Sequence, residues 1–114
     1  MARLTYTPSR GDIVWIDFDP TMGHEQGGRR PAIVVSPKAY NKLSRRALFC
    51  PVTSKARGYV FEVFCKGKDV NGAILVDQVR TLDWSKRKIA FIEKAPPAVI
   101  DDVEAKLLAL IRSE

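Results

Sequence analysis

Two stretches of the 114-residue chain carry side chains suited to handling a phosphate. In GDIVWIDFDPTMGHEQGGRRPAIVVSP, residues 11–37, a loop holds His24, Glu25, Gln26, Arg29 and Arg30 among Gly23, Gly27 and Gly28. Arginine presents a planar fork of donors that fits phosphate and stays charged at any working pH. In CPVTSKARGY, Thr53 and Ser54 supply hydroxyls beside Lys55 and Arg57. A third stretch, VDQVRTLDW, sets Asp77, Gln78 and Arg80 into an apolar run, and SKRK, residues 85–88, is a basic cluster. Each has a plainer reading: a solvated surface loop, a hairpin tip, an amide satisfying nearby backbone, a charged turn.

Several other chemistries lack their residues. No His, Cys and carboxylate cluster has metal-ligand spacing, and there is no P-loop, GxGxxG or GxSxG. With a single histidine, a two-histidine ribonuclease mechanism within one subunit is excluded. Metal-free chemistry on a phosphodiester remains, using arginine, hydroxyl and carboxylate groups, with no cofactor.

These groups need a scaffold to bring them together, and the hydrophobic pattern describes one. In IVWIDF, Val14, Ile16 and Phe18 share one face and Ile13 and Trp15 the other, which predicts a strand buried on one side and partly covered on the other. PAIVVSP is a second strand, and residues 38–43 form a short helical turn. ALFCPVTS is a third strand, where Pro51 points to a sheet edge or a bulge. YVFEVFCK places Tyr59, Phe61, Val63 and Cys65 on one side. Asn71-Gly72 reads as a hairpin turn, followed by a strand over AILVDQVRTL and a last one in KIAFIEK. Beyond Pro96-Pro97, Ile100, Val103, Leu107, Leu110 and Ile111 fall at helical spacing. Asp101, Asp102 and Glu104 come early in that helix, and Lys106 and Arg112 late, which complements its dipole. The expected architecture is mainly β: five or six short strands in a small bent barrel, with one amphipathic helix against it. The connection between the first two strands exceeds the roughly two to five residues of a simple turn.

Length fits one domain, residues 1–114. No apolar run reaches the roughly 18 residues of a membrane span, and MARLTYTPSR lacks a secretory stretch. With two cysteines, Cys50 and Cys65, outside any CxxC, cytoplasmic residence with reduced thiols is expected. The chain carries +6 overall, unevenly placed. Residues 96–114 hold four acids and two bases, leaving nine acids against seventeen bases, a balance of +8, in residues 1–95. Such a body suits a polyanionic partner, although net charge also serves solubility alone.

The ordered blocks GDIVWIDFDP, RPAIVVS, PVTS with GYVFEV, and NG with DQVR and DW, followed by a C-terminal helix, resemble the MazF/PemK toxins over nearly the whole chain. The resemblance implies an SH3-like, partly open β-barrel with a short helix and a C-terminal amphipathic helix, as a homodimer. It implies metal-independent cleavage of single-stranded RNA, chiefly mRNA, at short sequences, and an antitoxin whose acidic segment occupies the RNA site. It matches Arg30 and Thr53 to the residues most tied to cleavage, Glu25 to a loop carboxylate, and Gln78 to a position near the RNA groove. Arg29 and His24 have no fixed counterpart. In the phosphodiester reading, the 2′-OH attacks its own phosphate, with Arg30 and Thr53 on the phosphoryl oxygens and Glu25, or else His24, as base. Gln78, Arg80, Lys55, Arg57, Arg29 and His24 are candidate RNA contacts. Trp15, Tyr59 and Trp84 are either stacking platforms or core residues. The loop glycines would let that segment order over bound RNA. A gyrase-poisoning toxin of the same barrel and a non-catalytic RNA-binding barrel are the alternatives.

Overall fold

The computed structural model describes residues 6–112. Strands β1 (Asp12–Asp17), β2 (Arg29–Val34) and β3 (Arg46–Thr53) form an antiparallel centre, with helix α1 (Lys38–Ser44) between β2 and β3. Strands β4 (Glu62–Lys66) and β5 (Asn71–Leu75) make a hairpin that pairs with the end of β3. Strand β6 (Arg80–Asp83) pairs with the start of β3, and β7 (Ala90–Lys94) with β1. The sheet path runs β4-β5-β3-β2-β1-β7, with β6 joined to β3 off that path, and helix α2 (Pro97–Arg112) completes the chain. This is the mainly β, partly open barrel with a short helix and a C-terminal helix that the resemblance implies, and the five or six strands of the hydrophobic pattern are seven.

Alternation along the three central strands builds two cores, one on each face of the sheet. Val14, Ile16, Phe18, Ala32, Val34 and Phe49 pack with Leu82 and Trp84 on one side. Ile13, Ile33, Cys50, Val52 and Ile74 pack with Ile100, Val103 and Leu107 of α2 on the other. The first strand is therefore covered on both faces except at Trp15. Both cysteines are buried free thiols, and burial, then the charge of Asp77, pushes Cys50 up to about 12. Among the described residues no helix is long and apolar enough to cross a membrane.

Four local expectations need correction. Pro51 lies in β3, which is central and not an edge. It opposes Ala32 of β2 at the step where the partner on the other side changes from β6 to β5, and there a missing N–H costs no ladder bond. Asn71-Gly72 is not the hairpin turn but the first two residues of β5, paired with Lys66 and Cys65. The turn is residues 67–70, closed by the Gly67 N–H on the Val70 carbonyl. AILVDQVRTL is two strands joined by a 3-10 turn, Val76–Gln78. Helix α2 starts at Pro97, so the acids that come early in it fall in its second turn, past the first turn where the dipole acts most strongly. There Asp101 and Glu104 pair with Arg10, and Asp102 with Lys106. Leu110 stays partly and Ile111 largely exposed.

A single carboxylate closes the open seam of the barrel. Glu93 of β7, at one end of the sheet path, accepts the backbone N–H groups of Lys68, Asp69 and Val70 in the hairpin loop at the other end, at 2.9, 2.9 and 2.8 Å. Gly67 leaves room for it, since a Cβ there would meet Glu93 Oε2 at 2.6 Å. Desolvation raises the Glu93 pKa, but the three backbone donors and the Lys68 ammonium outweigh it and hold the carboxyl below its ordinary value of 4.5. A depressed folded pKa contributes stability that is present above the unfolded value and lost as pH falls through the folded one. Glu93→Gln is thus expected to lower stability at pH 7 by about 1–2 kcal/mol. In urea melts the gap to wild type should narrow below pH 4.5 as the carboxylate becomes protonated. A gap independent of pH would assign the clasp to packing.

Candidate active site

The long connection, residues 18–28, is folded back on itself and tied down at both stems. The Phe18 N–H donates to the Gly28 carbonyl, and the Gly28 N–H to Asp19 Oδ1 at 2.9 Å. Gly27 is required by close approach, because a Cβ there would meet Thr21 Oγ1 at 2.6 Å and Asp19 Oδ1 at 2.7 Å. Arg80 donates to the carbonyls of Phe18 and Pro20, Arg87 to those of Asp17 and Asp19, and the Gln26 N–H to Gln78 Oε1 at 2.9 Å. Arg87, from the cluster read as a solvated turn, is thus a loop clamp. The exposed tip is residues 22–25, where Glu25 Oε1 accepts the Met22 N–H at 2.7 Å.

Arg30 stands at the start of β2, directly after this loop. Its Nε donates to the Gly27 carbonyl at 2.9 Å and its Nη1 to the Val52 carbonyl at 3.4 Å. Nη2 makes no bond to a described residue. Thr53 ends β3 opposite Ala73 and is only 8% exposed. Its Oγ1 accepts the Lys55 N–H at 3.2 Å, which leaves the hydroxyl proton available to a ligand. Arg30 and Thr53 line one cavity of about 340 Å³ together with Gln26, Ser54, Lys55 and Arg57. It shares four of these residues with a second cavity of about 330 Å³, to which His24, Tyr59, Glu62, Leu75, Asp77 and Gln78 also contribute. Arg30, Lys55 and Arg57 line the first, basic end of the cleft with no carboxylate in that lining, and the second cavity, which also contains Lys55 and Arg57, adds Glu62 and Asp77.

The structure therefore brings Arg30, Thr53, His24, Lys55, Arg57 and Gln78 together and leaves three predicted residues outside. Glu25 caps its own loop tip, and its carboxylate does not line the cleft. Arg80 holds the loop stem and stacks over Phe18 at 6.0 Å. Arg29 donates to the Lys88 carbonyl, with its guanidinium carbon 6.0 Å from the Trp15 ring centroid. Of the aromatics, Tyr59 is 60% exposed and lines the cleft, Trp15 is half exposed, and Trp84 is core, its indole N–H on the Asn41 carbonyl. Glu62 was not anticipated as a site residue. It accepts the N–H groups of Arg57 and Gly58 and shapes the segment carrying Lys55. Its one signal in the sequence is a carboxylate in an otherwise apolar strand. Among the described residues no three His, Cys, Asp or Glu side chains cluster to hold a metal.

The family model for PemK-like, MazF-like toxins of type II toxin–antitoxin systems matches residues 9–111. "Endoribonuclease toxin MazF" of Escherichia coli K12 is 41% identical over 106 residues, which cover 93% of this chain and 96% of that protein. The crystal structure of MazF (Form-I) from Deinococcus radiodurans superposes with a TM-score of 0.90 at 46% identity, over 94% of this chain and 98% of that one. A MazE–MazF complex (Form-II) from the same organism gives a TM-score of 0.83 at 40% identity, over 96% and 100%. A family match over almost the entire barrel, and relatives at this identity over nearly their full lengths, make this chain a member of the PemK-like, MazF-like toxins of type II toxin–antitoxin systems.

Proposed function

We propose that the chain is an endoribonuclease toxin that cuts single-stranded RNA, chiefly mRNA, at short sequences without a metal, as a homodimer restrained by an acidic antitoxin. One observation carries the reading: Arg30 and Thr53 line the same cavity at the basic end of the cleft. A phosphodiester seated there would meet a cation with an uncommitted Nη2 and a hydroxyl free to donate. Its own 2′-OH attacks the phosphorus, the P–O5′ bond breaks, and the products are a cyclic phosphate and a free 5′-OH. The 2′-OH proton passes to a base, and a proton reaches the departing O5′.

Arg30 and Thr53 act on the charge that builds on the non-bridging oxygens. Arginine at its ordinary pKa is a poor proton shuttle, so Arg30 serves electrostatics. The base is drawn from side chains that line the cleft, which moves that role from Glu25 to its loop-tip neighbour His24 and to Asp77. Glu62, the other carboxylate there, is engaged by two backbone N–H groups. Lys55 and Arg57 supply phosphate contacts, and the Gln78 amide, with its oxygen taken by Gln26, offers donors to a base edge. The +8 body accounts for an acidic protein as neutraliser.

Incubating the purified protein with mixed-sequence RNA in excess EDTA, then sequencing the new ends, tests this. Cleavage at a short recurrent sequence with cyclic-phosphate ends is expected. Asp77→Asn or His24→Gln should reduce it, whichever group is the base by about 10²–10⁴, while Glu25→Gln should not. Retention of RNA without cutting would leave an RNA-binding barrel instead.

A further inference from the structure

We propose that a separate cavity beside Trp15 is a nucleobase subsite, receiving the base that adjoins the phosphate held at Arg30 and Thr53; this rests on the ribonuclease reading above. The cavity, about 280 Å³, shares Arg30 and Ser54 with the basic end of the cleft, so the two meet over the ends of β2 and β3. Trp15 and Pro31 stand opposite each other in the β1–β2 ladder and therefore share a face, and with Val52 and Val70 they make the cavity's apolar lining. The β4–β5 loop and the start of β5 bring Asp69 and Asn71 to its rim.

Three observations select a base as the occupant. The Trp15 indole is 41% exposed on a strand whose other apolar residues are fully buried. A partly open ring beside a phosphate site is a stacking platform that any base can use, and Arg29 at 6.0 Å adds cationic charge next to it. The Asp69 carboxylate and the Asn71 amide make no hydrogen bond or ion pair to another described residue. A base edge offers donors and acceptors that engage both groups, whereas an apolar peptide side chain would leave them unpaired. Finally, the loop carrying Asp69 is fixed by the Glu93 clasp through three backbone N–H groups. The rim is thus organised before anything binds, which lowers the ordering cost of recognition.

The test is a cycle between protein and substrate. A short RNA that the wild type cuts is remade with a single abasic nucleotide at each position flanking the cleaved bond. Wild-type kcat/KM should fall about 5- to 150-fold at one of these positions, the span of a lost base–aromatic stack. Trp15→Ala should show the same fall with intact RNA and no further loss with that abasic RNA, while Trp15→Phe restores the difference. If Trp15→Ala fails to fold by circular dichroism, Asn71→Ala, on the exposed rim, carries the same cycle through its lost base-edge contact. A wild type that cuts but has every abasic penalty unchanged in the variants overturns the subsite alone. So does a Trp15→Ala protein that loses only antitoxin affinity, which would assign the cavity to a peptide. A wild type that cuts no RNA overturns the parent reading and the subsite with it.

Discussion

Arg30→Ala is expected to reduce RNA cleavage by about 10²–10³, the usual loss when one donor to a developing oxyanion is removed. The effect should appear in kcat more than in KM, because charge on the phosphoryl oxygens increases between bound substrate and transition state. Arg30→Lys should recover little: an ammonium keeps the charge but not the fork, and Arg30 uses its fork in two directions. Nε holds the Gly27 carbonyl and Nη1 the Val52 carbonyl, which leaves Nη2 for the ligand. Since the Gly27 bond also anchors the loop, a circular-dichroism melt must accompany the kinetics. Thr53→Val removes the hydroxyl at nearly constant volume and is expected to cost a similar factor. If both groups act on one phosphate, the double variant should fall well short of the product of the single losses. Fully multiplicative losses would place the two side chains on different steps, and wild-type cleavage by folded Arg30→Ala would remove the assignment.

Arg30 and Thr53 were matched to each other by the resemblance to the MazF/PemK toxins and not by strand patterning; the fold lines one cavity with both, from the start of β2 and the end of β3. Period-2 patterning did make the two cores legible, with Val14, Ile16 and Phe18 on one face and Ile13 on the other. Positions set by the path of irregular backbone were not legible. Nothing local says that Glu25 spends its carboxylate on Met22, or that Asp77 enters the cleft on a 3-10 turn. That turn exists because β5 leaves the side of β3 and β6 takes it over, a non-local event. Charge could not be sorted either. Arg57 and Lys55 line the cleft, while Arg80 and Arg87 are spent on carbonyls of the loop stem, and all four look alike in the sequence. Glu93 is the sharpest case, an exposed-looking residue of a last strand that joins the two ends of the sheet.

Gly72 shows how one residue type can mislead and still explain the site. Beside Asn71 it has the form of a hairpin turn, yet it lies inside β5, where a Cβ would stand 2.5 Å from the Thr53 carbonyl oxygen and 3.0 Å from Val52 Cγ1. Backbone oxygen cannot swing aside like a side chain, so Gly72→Ala must push β5 away from the end of β3. The expected cost is about 1–3 kcal/mol, as for other overpacked sites, and more for Gly72→Val. For a domain near 100 residues each kcal/mol lowers Tm by about 4–8 °C, so the loss is easily read in a thermal melt. A glycine serving only a turn would cost stability and nothing else. A glycine that lets β5 close on Thr53 must also affect catalysis, because the residue displaced is the one carrying the hydroxyl. Gly72→Ala, assayed well below its Tm where the folded fraction matches wild type, is therefore expected to lose cleavage rate as well. Full activity in the folded variant would confine this glycine to the packing of two strands.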